Sequence, residues 1–133
     1  MQHANAYERR TYEYLTRYTW IRAYVRTLDA ELNLSVEIEE AEHERSTKQA
    51  EHRAAVALLD QLDKAIAGLP EKERRIVQRK YIEGLPWKRV AGEIGYSPRS
   101  GQRYGKRAVQ RIAASLFGEK ARNSAKQLHN TPA

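Results

Sequence analysis

The sequence predicts an all-α protein, and three observations predict it. No glycine or proline occurs before Gly68, so nothing punctuates a helix in the first half of the chain. Apolar and aromatic residues there recur at steps of three and four. After Gly68 the helical pattern shortens into segments separated by Gly68-Leu69-Pro70, Gly84-Leu85-Pro86 and Gly95-Tyr96-Ser97-Pro98.

In order, Tyr7, Thr11, Tyr14, Tyr18, Ile21, Val25, Leu28 and Leu32 form a heptad seam broken only by Thr11. Asn33 and Ser35 interrupt it, and Val36 to Lys48 is acid-rich with little periodicity. A second amphipathic stretch carries Ala55, Leu59, Leu62, Ile66 and Leu69 on one face. These are long N-terminal helices, as a hairpin or a coiled coil. Their seam must be buried against the same chain, a second copy or the C-terminal module.

Gly68 stops this region and Pro70 opens the next helix. A helix is expected over Glu71–Glu83, with Ile76, Val77, Lys80 and Tyr81 on one face. Gly84 ends it, and a short helix runs from Pro86 through Ile94 with Val90, Ala91 and Ile94 inward. Gly95 supplies a turn, Ser97 an N-cap and Pro98 a first helical residue. The last helix reaches about Phe117, with Tyr104, Ala108, Ile112 and Leu116 as its buried stripe. The expected organisation is a helical, oligomerising segment over 1–67, a module of shorter helices over 68–117 and a disordered tail over 118–133.

Charge divides along the same line. The chain carries a net +7, but residues 1–68 hold 9 Lys+Arg against 12 Asp+Glu, and residues 69–133 hold 15 against 5. A basic half beside an acidic one suits a module that meets a polyanion. In Gly92–Arg111 there is no acid after Glu93, yet two glycines, Gly101 and Gly105, stand where alanine would favour the helix by about 1 kcal/mol each. They suit close approach of another helix or of a DNA backbone.

Short helix, glycine turn and Ser-capped helix form the outline of a helix-turn-helix, whose second helix enters the major groove. Arg99, Gln102, Arg103, Lys106 and Gln110 share one face of that helix. Arginine pairs with guanine O6 and N7, and glutamine with adenine N6 and N7. Arg99, Ser100, Gln102 and Arg103 are the candidates for base contacts. Ser97, Trp87, Lys88, Arg89, Lys106, Arg107 and Arg111 are the candidates for phosphate contacts, and Trp87 is equally suited to the core. A capped helix N-terminus also favours a phosphate.

From Leu69 to Ile112 the chain resembles region four of bacterial sigma-70-type sigma factors. Leu69-Pro70-Glu71, the run into Arg75 and Ile76, the Tyr81 to Leu85 segment, the Val90–Ser97 turn and the basic last helix carry the likeness in order. The resemblance implies promoter DNA binding by the last helix and contact with RNA polymerase. Gly101 departs from the apolar residue usual early in that helix, and residues 1–68 hold nothing like region two. A short basic chain of this architecture is similar to phage late transcription regulators of the ArpU and RinA type.

The function expected is therefore sequence-specific double-stranded DNA binding in transcription control, as a phage or prophage late-gene activator. The partners expected are DNA, RNA polymerase and further copies of the chain as a homodimer or higher homo-oligomer. Two other classes remain open: a small terminase subunit of DNA packaging, and a polymerase- or sigma-interacting protein with little DNA binding of its own. No cofactor is expected. His3, His43, His52 and His129 lack metal-ligand spacing and no cysteine joins them. No GxxxxGK[ST], no GxSxG and no nucleophile–base pair points to an enzyme. No apolar run approaches the roughly 18 residues of a membrane span, and the first residues are not a signal peptide. The expected location is the cytoplasm of a bacterial host cell. The tyrosines of the first helix read as a packing seam, and the acids Glu39, Glu40, Glu42, Glu44 and Glu51 as a solvated face or an autoinhibitory contact with the basic half.

Overall fold

The computed structural model describes residues 5–37 and 41–118. All of their regular structure is helical: α1 (Ala6–Thr16), α2 (Tyr18–Glu37), α3 (Glu42–Ala67), α4 (Glu71–Ile76), a π-helical segment (Val77–Ile82), α5 (Trp87–Glu93) and α6 (Pro98–Phe117). The all-α class is thus observed, with no strand among the described residues. The expected tail, from Glu119 onward, lies outside them, as do Glu39 and Glu40.

α1 begins at a reciprocal cap. The Asn5 side chain accepts from Glu8 N at 2.8 Å, and its amide donates to the Glu8 carboxylate at 3.3 Å. Where the seam predicts one straight helix, the chain bends at Arg17 (φ −100, ψ 7) without losing its hydrogen bonds, since Arg17 N reaches Glu13 O and Ile21 N reaches Arg17 O. The bend separates two faces with different partners. α1 packs on α6 and the π-helical segment, whereas α2 packs on α3.

This corrects the inward face of α1. Thr11 and Leu15 are fully buried and Glu8 nearly so, while Tyr7, Tyr14 and Tyr18 are only half-buried. The seam rule assumes a straight helix with one partner, and Leu15 falls outside it. The expected interruption at Asn33 is also absent, because α2 continues to Glu37. Tyr7 packs 5.1 Å from Phe117 at the far end of α6.

The α2–α3 hairpin is antiparallel and laced along its length. Tyr18 donates to Asp63, Tyr24 donates to Glu51 at 2.8 Å, His52 Nε2 lies 2.6 Å from Asp29, and Lys48 lies 3.9 Å from Glu31. Glu51 is therefore engaged inside the hairpin. Of the expected second face Leu62 and Leu69 are buried and Ala55, Leu59 and Ile66 half-buried, while Ala65, outside that face, is buried as well. Leu62, Ala65 and Leu69 join Leu15, Ile21, Val77, Ala108, Val109 and Ile112 in one core, so the N-terminal helices and the C-terminal helices are packed together. Burying each leucine, isoleucine or valine of this set contributes about 1.5–3 kcal/mol.

Beyond Gly68 the expected breaks recur at the expected places. Pro70 is the N-cap of α4 rather than its first residue. The helix expected over Glu71–Glu83 is α-helical only to Ile76. It then widens, with Glu83 N bonded to Gln78 O at 3.0 Å, five residues back. Val77 stays fully buried, and the wider turn carries Tyr81 over α6.

Candidate nucleic-acid interface

The interface is built from the turn outward. α5 ends in a Schellman motif, with Tyr96 N donating to Ala91 O at 2.9 Å and Gly95 N to Gly92 O at 3.3 Å. Gly95 takes φ +79, a left-handed conformation that side-chain-bearing residues resist. Two residues later the Ser97 hydroxyl accepts from Ser100 N at 3.2 Å and donates to Ser100 Oγ at 3.1 Å, with Pro98 in the first turn. The cap, the turn and the proline together fix the angle between α5 and α6.

The two glycines of α6 face inward, and a helix rather than DNA fills their space. A Cβ on Gly101 would lie 3.0 Å from Ala91 Cβ, and one on Gly105 would lie 2.6 Å from Trp87 Cη2 and 2.7 Å from the Tyr81 hydroxyl. Trp87 thus occupies the volume a larger residue at Gly101 or Gly105 would take, and it lies edge-on to Tyr81 at 6.0 Å. The buried stripe of α6 is accordingly Gly101, Gly105, Ala108, Val109, Ile112 and Ala113. Ala108 and Ile112 were expected there. Tyr104 was also expected and is instead half-buried at the edge, because the small residues beside it, not its ring, make the closest helix contact.

On the side of α6 next to that stripe stand Arg99, Gln102, Arg103 and Arg107, all exposed, with Lys106 and Gln110 half-buried. Arg99, Gln102, Arg103 and Lys106 border a groove of about 640 Å³ whose other wall is Glu8, Tyr12, Tyr81 and Trp87. Trp87 is half-buried, with Lys80 5.4 Å above its ring, so it serves the helix contact at one end and the groove at the other. Tyr12 and Tyr81 meet edge to face at 5.3 Å, and burial pushes both hydroxyls above their usual pKa. Both hydroxyls are neutral at physiological pH.

The remaining candidates are placed differently. Lys88 and Arg89 are exposed on α5. Arg89 lies 3.5 Å from Glu93, which is held mainly by Arg79 through two hydrogen bonds of 2.9 and 2.7 Å. Those bonds depress the Glu93 pKa and tie the last turn of α5 to the π-helical segment, while Arg79 also donates to Glu83 at 2.9 Å. Arg111 sits a turn beyond the others, with Nε 3.1 Å from the buried carboxylate of Glu73. Arg107 lies over the Tyr104 ring at 5.3 Å.

Sequence reasoning missed the far flank of α6. Tyr96 stacks on Tyr104 at 4.9 Å and 10°, Lys72 lies 4.7 Å over Tyr96 and donates to its hydroxyl at 3.0 Å, and Arg107 closes the other side. The Lys72 contact lowers the Tyr96 pKa. Glu8 was missed as well, although Asn5 three residues before it is a capping signal.

No helix among the described residues is long and apolar enough to cross a membrane. No curated protein and no solved structure matches the chain. Residues 59–112, from the last turns of α3 through most of α6, match the family model of sigma-70 region 4, a helix-turn-helix DNA-binding module.

Proposed function

We propose that this chain is a sequence-specific double-stranded DNA-binding regulator of transcription, with α6 as the helix that enters the major groove. The observation that carries the reading is the acid-free outer face of α6. Arg99, Gln102, Arg103, Lys106 and Gln110 lie together on a helix held in place by α5 and α1, with Glu8 and Tyr12 of α1 walling the groove that the first four border. Long donors on a rigid helix are what base edges and phosphates require. The match to sigma-70 region 4 over 59–112 supports the same DNA-binding reading.

In this reading Arg99, Ser100, Gln102 and Arg103 read bases from the first two turns of α6. Lys106 and Arg107 follow the phosphates, with Ser97 presenting the capped helix end, and Trp87, Lys88 and Arg89 reaching the backbone from α5. Arg111 reaches a phosphate only by leaving Glu73, so it is the weakest of the set. The regulator acts as a late-gene activator of a phage or prophage, in the cytoplasm of the host cell and in contact with RNA polymerase.

Selection from a random duplex pool, followed by affinity at two salt concentrations on the winning and scrambled DNA, tests this. A defined motif with clear preference over the scrambled duplex is expected. Uniform binding that vanishes with salt would leave only a basic helical surface.

A further inference from the structure

The groove beside α6 is walled in part by a helix outside the matched segment. Glu8 and Tyr12 belong to α1, whereas the family match begins at residue 59. α1 is anchored by Thr11 and Leu15, both fully buried, and packs on α6 and the π-helical segment. The α1 wall is therefore as fixed as the core beneath it.

The size of a helix in DNA decides what the groove receives. The major groove is about 12 Å wide, and a helix with its side chains is about 10–12 Å across. A helix seated there has a sugar-phosphate strand against each flank. Arg99, Gln102 and Lys106 lie on the flank of α6 that borders the groove of about 640 Å³. A strand on this flank runs between α6 and α1.

The chemistry of the groove fits that strand. Three cations, Arg99, Arg103 and Lys106, border it against one acid, Glu8. Glu8 is only 4% exposed, and its carboxylate accepts from the Asn5 amide at 3.3 Å. Among the aromatic residues of the wall, the Tyr81 hydroxyl is taken up against the α6 backbone at Gly105. Tyr12 is half-buried and faces the cations across the groove. A neutral phenol can donate to a phosphate oxygen, and a phenylalanine there would pack without doing so.

The geometry points to Tyr12 as a further DNA-contacting residue, its hydroxyl donating to a phosphate of the strand that Lys106 follows. The inference rests on the DNA-binding reading of α6 and adds α1 to the surface that the duplex covers.

Two measurements on the full chain test it, both with a duplex obtained by selection. Hydroxyl-radical footprinting of the wild-type chain, read by mass spectrometry, should show Tyr12 protected in the complex. Trp20, 62% exposed on α2, should stay unprotected. Tyr12→Phe should weaken binding about tenfold on preferred and scrambled duplexes alike. Its salt slope should match wild type, because no charge is lost. The ring and its contact with Tyr81 remain, so helicity and melting temperature should stay close to wild type. Protection of Trp87 without protection of Tyr12, or unchanged affinity in Tyr12→Phe, would overturn the contact and leave the DNA reading in place. A wild-type chain with no affinity for any duplex would remove that reading and the contact together.

Discussion

Trp87 Cη2 sits 2.6 Å from where a Gly105 side chain would begin, so the ring and the missing methyl compete for one volume. The Tyr81 hydroxyl, 2.7 Å from the same point, closes the remaining exit. A helix that would otherwise favour alanine keeps glycine because two half-buried rings from α5 and the π-helical segment rest on its backbone.

Gly105→Ala should therefore destabilise the fold by about 1–3 kcal/mol, the overpacking cost outweighing the propensity gain. Gly92→Ala is the control. It sits in α5 with nothing within 4 Å of the new methyl, and should stabilise by about 0.5–1 kcal/mol. Urea denaturation of the two variants checks the opposite signs. Stabilisation by Gly105→Ala would mean that the rings yield freely and that glycine is not needed for their packing.

That relationship also shows where sequence reading stops. Ser97-Pro98, Gly95 and Gly68 announce their breaks locally, through a cap, a fixed φ or a missing Cβ, and the structure places breaks at each. The widening over Val77–Ile82 depends on Tyr81 reaching Gly105, 24 residues further on, and no local pattern encodes it. The bend at Arg17 involves neither glycine nor proline. It arises because α1 and α2 serve different partners, which is why the heptad rule selected Tyr14 over Leu15. At the candidate interface the basic face of α6 was legible from charge and period alone. The Tyr96–Tyr104 stack was not, because its members meet across the turn.

On the proposed DNA site, Arg103 and Lys106 should separate base reading from phosphate binding. Arg103→Ala should cost about 1–3 kcal/mol on the preferred duplex and relax the preference at one position. Lys106→Ala should weaken all duplexes alike and lower the salt slope by about one. Affinities on preferred and scrambled duplexes at several salt concentrations distinguish them. Equal losses on every sequence from Arg103→Ala would remove its base-reading role.

The Arg79–Glu93 pair should leave a mark in acid. Its hydrogen bonds hold the Glu93 pKa below the ordinary 4.5. A carboxyl depressed in the folded state contributes stability fully above its unfolded pKa and loses it as pH falls through the folded value. Glu93→Gln should lower the melting temperature at neutral pH, and the gap from wild type should close progressively below about pH 4.5. A gap that persists unchanged into strong acid would show that the carboxylate charge is not what binds α5 to Arg79.

Tyr96 gives a second titration, at the opposite end of the scale. Its hydroxyl accepts from Lys72 and has a pKa below the ordinary 10.0, while burial holds those of Tyr12 and Tyr81 above it. An alkaline absorbance titration of the folded chain should show an early tyrosinate that is lost in Tyr96→Phe and moved to higher pH in Lys72→Met. Because the folded pKa is depressed, the Lys72 contact adds stability as pH rises through that value, until Lys72 itself deprotonates. Lys72 is raised by the same contact, so the window extends beyond the range of an ordinary lysine. Tyr96→Phe keeps the ring stacked on Tyr104 and removes only the hydroxyl. It should leave the orientation of α6 and the neutral-pH melting temperature close to wild type, whereas Tyr96→Ala should lower that temperature by removing the stack. If the early titration survives Tyr96→Phe, another tyrosine carries it and the Lys72 contact is not its cause.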